Sequence, residues 1–415
     1  MTILFGKKMN GENGKNFNEK LIPFKKESVI DDMSCKIKTT FCSVFNYFKN
    51  NYEKCVKCEN CDRYPYHRDY LSDQHFCSKE AIKWMDNPNN KLDGKKYRIH
   101  FNNGDYNVIL KINVYGDIQY NHFVLLISKC ITLILINKIL ICELEINLVL
   151  LPLKRMYPSD FQNSDISQLG VDEVNGGFTT WRGNEWGKIY VWRREELDKV
   201  LVHEMIHALH LDFHNYDTEI DEFFKNNFFI EKQGSFLFFE AYTELWAEFL
   251  NIIFDYSFQM CTEGQNGENY ALLYDKLANE LNFSLVQVSK LLLWYNFDRF
   301  TDCGFYCKNR CKNIDKRMTE GTSIFSYYIV RSIYFFCLPQ FLTLCNKTRL
   351  EDKTAMFDGD SHKRHLSYLD LIKKNIDEYG ENIDKIMNII KNNSKKFDGE
   401  LLNSMRMSSQ THQYE

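Results

Sequence analysis

The sequence lacks a strong excess of either charge. Its 415 residues include 52 Lys and Arg against 56 Asp and Glu, which gives a net charge of -4 at pH 7. Proteins that bind nucleic acid or anionic membranes carry a concentrated basic region, and no such stripe occurs along this chain. The chain is otherwise 44% hydrophobic and 26% charged, as a globular protein is, and it is long enough for two or three domains. We therefore expect neither nucleic acid nor a membrane as a partner.

The sequence also lacks a long apolar run without charges. Residues 1–5, followed by Gly-Lys-Lys, do not form the apolar core of a secretory signal. Four charged residues interrupt the Ile- and Leu-rich segment 123–151: Lys129, Lys138, Glu143 and Glu145. No uncharged stretch there approaches the ~20 residues of a transmembrane helix. These absences predict a cytoplasmic or otherwise intracellular protein.

Cysteine, in contrast, is plentiful, with 14 residues. Without an export signal we expect the thiols to stay reduced, which favours metal ligation over disulfides. Cys55, Cys58 and Cys61 are three apart, and His67, His75 and Cys77 follow, which is a spacing that suits a second, structural zinc ion. Unligated thiols are the alternative, because the two separated Cys pairs of a zinc ribbon are missing. A later group of Cys303, Cys307 and Cys311 is expected to consist of core thiols.

Hydrophobic periodicity divides the chain into four parts. We predict a flexible arm, a cysteine-bearing segment, a main domain and a frayed tail at 1–30, 31–95, 96–400 and 401–415. Within the main domain we expect a sheet, two helices and a helical lobe at 96–192, 195–212, 236–254 and 255–400. The expected strands are Tyr97–Phe101, Tyr106–Val114, the Ile- and Leu-rich run 123–151, and Lys188–Trp192.

The sequence His203-Glu204-Met205-Ile206-His207 is an HExxH motif. Residues four apart lie on one face of a helix, so the two imidazoles can bind one ion while Glu204 projects beside them. A match of five residues can arise by chance in a chain with 11 His. The surrounding helical pattern, unbroken by Gly or Pro, favours a real zinc site over chance.

A third ligand is expected from a later helix. His210 and His214 continue the stripe, but a straight helix carries each further turn ~5.4 Å along its axis and away from the ion. Glu240, Glu244 and Glu248 share one face of a strongly apolar helix. A buried acidic stripe requires a cation or hydrogen-bond donors, and a zinc site supplies both.

The pairing of His-Glu-Met-Ile-His with the later Glu-Ala-Tyr-Thr-Glu-Leu-Trp-Ala resembles the thermolysin-like zinc metallopeptidases, or gluzincins, over about 188–251. The resemblance implies that Glu240 is the third ligand and that Glu244 supports a ligating His. In the alternative frame, shifted by one turn, Glu244 ligates and Glu248 supports. Ala241 and Thr243 fit the first frame, which we favour.

The same resemblance implies an α+β, zincin-like fold. A small mixed sheet with an edge strand would lie over the active-site helix, followed by a mostly helical C-terminal lobe. Lys188–Trp192 is placed as that edge strand, where a peptide could add as a further strand, and the loop at Asn175–Thr179 would flank the cleft. The order of these segments is also similar to predicted zinc peptidases of large DNA viruses.

The implied reaction is hydrolysis of a peptide or protein substrate. Zinc with three protein ligands leaves a position for water, and Glu204 would accept the proton from that water. An oxyanion donor is also needed, for which Tyr327 and Tyr328 are preferred over Tyr242, Arg331 and His365.

Two other functions are compatible with parts of the sequence. One is a non-catalytic scaffold with structural zinc, which would not need Glu204. The other is a nucleic-acid-binding module on Cys55–Cys77, which the mild acidity of the chain disfavours.

Overall fold

The structure is a computed structural model. It describes residues 24–65, 77–90, 92–158, 168–180, 187–212, 218–228, 230–232, 236–263, 270–304, 318–348, 362–393 and 402–410. Over these residues the fold is mixed α+β, as expected, with a six-stranded sheet and a majority of helix. The helices are α1 Ser28–Cys55, α2 Lys79–Asp86, α3 Tyr120–Ile136, α4 Val171–Val174, α5 Leu197–Ala208, α6 Thr218–Asn227, α7 Phe238–Thr262, α8 Tyr270–Trp294, α9 Arg331–Phe336, α10 Leu338–Thr348 and α11 His362–Asn393. A π-helical turn, Phe325–Val330, leads directly into α9.

The central sheet has the strand order β1-β2-β3-β4-β6-β5. Its strands are β1 Val56–Pro65, β2 Asp93–Asn102, β3 Asn107–Tyr115, β4 Ile141–Leu151, β5 Gly177–Thr180 and β6 Lys188–Arg193; β7 Ile230–Lys232 and β8 Met318–Glu320 form a separate pair. β3, β4 and β6 are parallel, whereas β1–β2, β2–β3 and β5–β6 are antiparallel.

The prediction that Lys188–Trp192 forms the edge strand is wrong. That segment is β6, which lies between β4 and β5, and the edge is β5, in the segment expected to be a loop. The five residues from Ile189 to Arg193 are all buried. A nearly continuous apolar run of this kind is typical of a strand covered on both faces, and the short Gly-Phe-Thr-Thr of β5 is typical of an edge.

We expected the Ile- and Leu-rich run 123–151 to be strand throughout, and that prediction is wrong for its first half. Its first half is α3, and only its second half, from Ile141, forms β4. Every residue of α3 from Phe123 to Ile134 is buried. A helix buried on all sides is mostly apolar on all sides, so it has little periodic pattern by which to distinguish it from a buried strand.

One hydrophobic cluster fills the space between the sheet and the helices, from Ile30 of α1 to Met407. α1 packs on α3 and α7, so the cysteine-bearing segment and the main domain share this core. Cys42 of α1 is joined to Cys261 of α7 by a disulfide. The expectation of reduced thiols is therefore wrong for this pair, which lies 219 residues apart in the sequence.

Residues 402–410, expected to be frayed, pack into the molecule. Met405 is fully buried; its backbone N–H donates to the backbone oxygen of Arg155, and its carbonyl accepts from the Tyr328 hydroxyl. Lys290 Nζ donates to the Ser404 carbonyl at 2.6 Å. The segment looked featureless in sequence because these bonds are made mainly by its backbone. Of the predicted arm, 1–23 lies outside the described residues, and so do 411–415 of the tail.

Among the described helices, none alone has both the length and the apolar character to cross a bilayer. The consecutive segments Phe325–Phe336 and Leu338–Asn346, bent by 87°, reach that length and composition only as a pair.

Candidate metal centre

α5 carries the HExxH motif and is buried over its whole length, Leu197 to Ala208. Good helix formers such as Leu, Lys, Glu and Met fill it, with no Gly or Pro. Because no face of α5 meets solvent, each of its polar side chains requires a partner inside the protein. The partners of these side chains define the site.

Three potential ligand atoms converge between α5 and the first turn of α7. The Nε2 atoms of His203 and His207 are 3.0 Å apart, and Oε2 of Glu240 lies 3.3 and 3.4 Å from them, respectively. The ligand atoms of a tetrahedral zinc site with bonds of about 2.0–2.1 Å are roughly 3.3–3.4 Å apart. Oε2 of Glu240 is buried and accepts no hydrogen bond of normal geometry. The donor set and its spacing therefore fit a zinc ion.

Glu244 lies one turn further along α7 and takes a different position. Its Oε2 is 2.8 Å from Nδ1 of His203, and its Oε1 accepts from Nζ of Lys199 on α5. Glu240 thus faces the ligand atoms of the histidines, while Glu244 faces the back of one ring. This arrangement matches the favoured sequence interpretation, in which Glu240 is the ligand and Glu244 supports a ligating histidine.

Glu248, the supporting residue of the alternative frame, does not reach the histidines. Both of its carboxylate oxygens are 2.5 Å from a guanidinium nitrogen of Arg331. Arg331, considered as an oxyanion donor, is therefore engaged with Glu248. Lys199 was not singled out from the sequence, although a lysine four residues before the first motif His shares its helix face.

Asp212 was also missed by sequence reasoning. Its Oδ2 is 2.6 Å from Nδ1 of His207. α5 ends at Ala208, four residues earlier than expected, and His210 adopts a left-handed conformation with φ of 53°. That turn brings Asp212 back to the ring, and His210 itself is exposed. His214 lies outside the described residues. An acidic residue just past the helix end was the available sequence signal.

Glu204 contacts the edge strand of the sheet. The Thr179 hydroxyl on β5 lies 2.8 Å from Oε2 of Glu204 and 3.1 Å from its backbone oxygen. A Cβ on Gly177 would lie 2.9 Å from Oε1 of Glu204 and 2.8 Å from Cγ1 of Val200. Only glycine permits this close approach, so β5 fixes the position of the carboxylate. Burial raises the pKa of Glu204, although the two histidines partly offset this.

The charges of the cluster favour a positive centre. Burial disfavours the charged form of His203, but the carboxylates of Glu240 and Glu244 outweigh it and raise the pKa of this imidazole. The pKa of His207 is raised well above its ordinary value by Asp212 and Glu240, against the same burial cost. Despite its own burial, the two histidines lower the pKa of Glu240. A proton or a metal cation can supply the positive charge that these carboxylates require.

Of the proposed oxyanion donors, Tyr327 lies at the site. Its ring centroid is 6.1 Å from that of His203, and its hydroxyl interacts with Glu240. Burial and the nearby carboxylates raise the pKa of Tyr327 well above its ordinary value, so the hydroxyl keeps its proton. Tyr328 instead points to the carbonyl of Met405. Of the two further candidates, Tyr242 is on α7 but packs on the Phe341 and Tyr368 rings of the C-terminal lobe, and His365 is on α11.

The described cysteines do not converge. Cys55 packs in the main core beside the Tyr47 hydroxyl, whereas Cys77 belongs to a second cluster on the opposite face of the sheet, with Trp192. Burial raises the pKa of the Cys77 thiol to about 12, which disfavours the thiolate that a metal needs. Cys303 is buried. Cys58 is half-buried on β1. The remaining predicted positions fall outside the described side chains: Cys61, His67, His75, Cys307 and Cys311.

Within the described part of the chain, His203, His207 and Glu240 form the group of three or more His, Cys, Asp or Glu side chains with metal-binding geometry. Compared with known protein families, curated proteins and solved structures, the chain matches none.

Proposed function

We propose that this protein is a zinc-dependent peptidase with its active site between α5 and α7. The observation that carries the proposal is the triangle of His203 Nε2, His207 Nε2 and Glu240 Oε2, with sides of 3.0 to 3.4 Å. The carboxylates of Asp212 and Glu244 lie behind the two rings, which is how ligating imidazoles are usually oriented in zinc sites.

Glu204 would act as the general base. When bound, zinc supplies a water molecule whose pKa is lowered toward neutrality and polarises the substrate carbonyl. Glu204 accepts the proton of that water on its carboxylate and passes it to the leaving amine. Burial raises the pKa of this carboxyl, which favours its uptake of the proton from that water. The Tyr327 hydroxyl donates a hydrogen bond to the oxyanion of the tetrahedral intermediate.

The sheet supports a peptide as the substrate. β5 is an edge strand, antiparallel to β6, and its Gly177 and Thr179 contact Glu204 directly. An extended peptide that pairs with such an edge is held by backbone hydrogen bonds beside the carboxylate. This edge strand over the helix of the HExxH motif supports a zincin-like architecture, of the gluzincin type that the sequence resembles.

Retention of Glu204 at the site favours catalysis over a purely structural zinc ion. Its carboxylate accepts a hydrogen bond from Thr179, and Glu204 is not one of the three candidate ligand residues. A structural site would gain nothing from a buried carboxylate that costs free energy to desolvate. The proposed scaffold alternative therefore leaves this residue without a role.

The experiment is a comparison of zinc content and peptide hydrolysis in four proteins: the wild type, Glu204→Gln, Glu240→Ala and Glu143→Gln. Glu143 is exposed on β4, paired with Lys111, and serves as the matched control. We expect one zinc per wild-type chain, loss of zinc in Glu240→Ala, and retained zinc without hydrolysis in Glu204→Gln. Wild-type protein that binds no zinc contradicts the proposal. Zinc binding with equal activity in wild type and Glu204→Gln contradicts the mechanism, and zinc binding without any hydrolysis indicates a scaffold.

A further inference from the structure

A small cavity adjoins the candidate metal centre and has a volume of about 30 Å³. Its lining includes His203, Glu204 and Tyr327 of the site, together with Val200, Gly177 and Met407. A single buried water needs ~10–15 Å³ of such space. The cavity therefore has room beside Glu204 for one or two groups of about that size.

The wall at Met407 comes from a part of the chain far from the motif. Met407 is 4% exposed and belongs to the segment 402–410, which packs into the molecule. The backbone N–H groups of Met407 and Ser408 both donate to Oε1 of Glu196, at 3.0 and 2.6 Å. Glu196 precedes α5 directly, so this wall is attached to the helix that carries the motif. Met407 is thereby held in place against the cavity.

Two cations also line the cavity, and each has a carboxylate partner. Arg155 donates to Oε2 of Glu196, and Lys199 donates to Oε1 of Glu244. The side-chain exposures of all four residues are at most 3%. An anionic group entering the cavity would be desolvated without an unpaired cation to receive it, which is costly, and the side chain of Lys or Arg is too long for a space of about 30 Å³. The cavity thus suits an uncharged group.

We propose that Met407 is a specificity-determining residue, which restricts hydrolysis to peptide bonds flanked by a small uncharged residue such as Gly, Ala or Ser. This inference rests on the proposed peptidase function. A substrate that pairs with β5 places a side chain beside Glu204, where Met407, Val200 and the Glu204 carboxylate leave space for only one or two heavy atoms. Larger side chains are excluded by packing, since the walls are fixed.

The test compares the cleavage of a randomised peptide library by zinc-loaded wild type, Met407→Ala and Met405→Ala. Met405 is the matched control, because it is a buried Met of the same segment that does not line the cavity. We expect the wild type to cleave next to Gly, Ala or Ser. Met407→Ala should raise the relative kcat/KM for Leu over Ala at that position by about tenfold or more, as an enlarged apolar pocket does. Met405→Ala should keep the wild-type profile.

The possible outcomes distinguish a failure of the proposed role of Met407 from a failure of the proposed peptidase function. A wild type that binds zinc and cleaves without preference for small residues overturns the role of Met407 alone, as does an unchanged profile in Met407→Ala. A wild type without zinc, or without hydrolysis that depends on Glu204, overturns both. If Met407→Ala does not fold, Met407→Val makes the same comparison with a smaller loss of volume, and circular dichroism verifies the fold of each variant.

Discussion

Oδ2 of Asp212 lies 2.6 Å from Nδ1 of His207, while Nε2 of the same ring faces His203. The ring is thus held from behind by a carboxylate on a segment that the left-handed His210 turns back toward the helix. A ring that donates its Nδ1 proton to a carboxylate leaves Nε2 free to bind a metal ion. The orientation of the second motif histidine is therefore set by a residue outside the motif.

Replacing Asp212 by Ala should weaken zinc binding by about 10- to 100-fold, which is the usual effect of losing such a carboxylate. Asp212→Asn, which keeps an acceptor oxygen, should lose less zinc affinity than Asp212→Ala. Zinc affinity is measured by competition with a chromophoric chelator, with the exposed Asp105→Ala as the control. Equal affinities in Asp212→Ala and wild type would contradict an orienting role.

Replacing Lys199 by Met should destabilise the metal-free protein. The side chains of Lys199 and Glu244 are 2% and 3% exposed, and removing one member of a buried ion pair costs about 3–5 kcal/mol. Urea unfolding of Lys199→Met, Glu244→Gln and the double variant gives the coupling of the pair. The double variant should recover most of the loss, because the uncompensated carboxylate is gone. A double variant as unstable as the sum of the two single variants would show that the pair is not coupled.

Replacing Gly177 by Ala should impair hydrolysis without removing zinc. The added Cβ would force apart β5, Val200 and the Glu204 carboxylate, and a displacement of about 1 Å at reacting groups can cost about 100-fold in rate. Gly170→Ala is the control, since the nearest atoms to its Cβ would be 3.9 and 4.0 Å away. The measurements are kcat and zinc content. The proposal that β5 positions Glu204 fails if Gly177→Ala retains full kcat.

Much of the candidate metal centre was predictable because the residues that form it follow helical spacing. His203, Glu204 and His207 are set by one helix, and Glu240 and Glu244 by another, so a period of four residues brings each set onto one face. Helical spacing does not predict how close the two helices lie to each other. That approach depends on packing within the core.

The missed features have two physical causes. Asp212 and Thr179 reach the site through a left-handed turn and a strand pairing, neither of which leaves a periodic pattern. α3 was taken for strand because complete burial removes the alternation of polar and apolar residues by which strands and helices are distinguished. β6 was correctly predicted as a strand, but its place inside the sheet depends on the pairing with β5, which the sequence pattern does not show. The disulfide was missed because reduced thiols were expected from the cellular compartment alone. The compartment does not indicate which cysteines, such as Cys42 and Cys261, lie close together in the fold.

Removing the Cys42–Cys261 disulfide should lower the stability of the protein. The bond closes a loop with a sequence separation of 219, and removal of such bonds typically costs about 2–4 kcal/mol, largely through the entropy of the unfolded chain. The double variant Cys42→Ser and Cys261→Ser is compared with wild type by urea unfolding, with Cys35→Ser on the same helix as the control. Addition of a reductant should destabilise the wild type and leave the double variant unchanged.

Stability should rise with pH in the alkaline range because of Lys290. Burial, together with Arg406, holds the pKa of Lys290 well below its ordinary value of about 10.4. Between the lowered value and the ordinary one, the unfolded chain binds the proton and the folded chain does not, so raising the pH favours folding. Lys290→Met should lack this contribution. Urea unfolding at several pH values across that window should therefore show that the free energy of unfolding increases less in Lys290→Met than in the wild type.

The π-helical turn at Phe325–Val330 has a consequence for how this site can vary among related chains. Such a turn holds one residue more than the corresponding α-helical turn. Deleting one residue there would restore α-helical geometry and rotate the preceding part by about 100° relative to α9. Tyr327 would then leave Glu240, and a neighbouring side chain would face the histidines instead. A single-residue deletion in this turn would therefore replace the Tyr327 hydroxyl at the candidate site by another side chain while leaving His203, His207 and Glu240 in place.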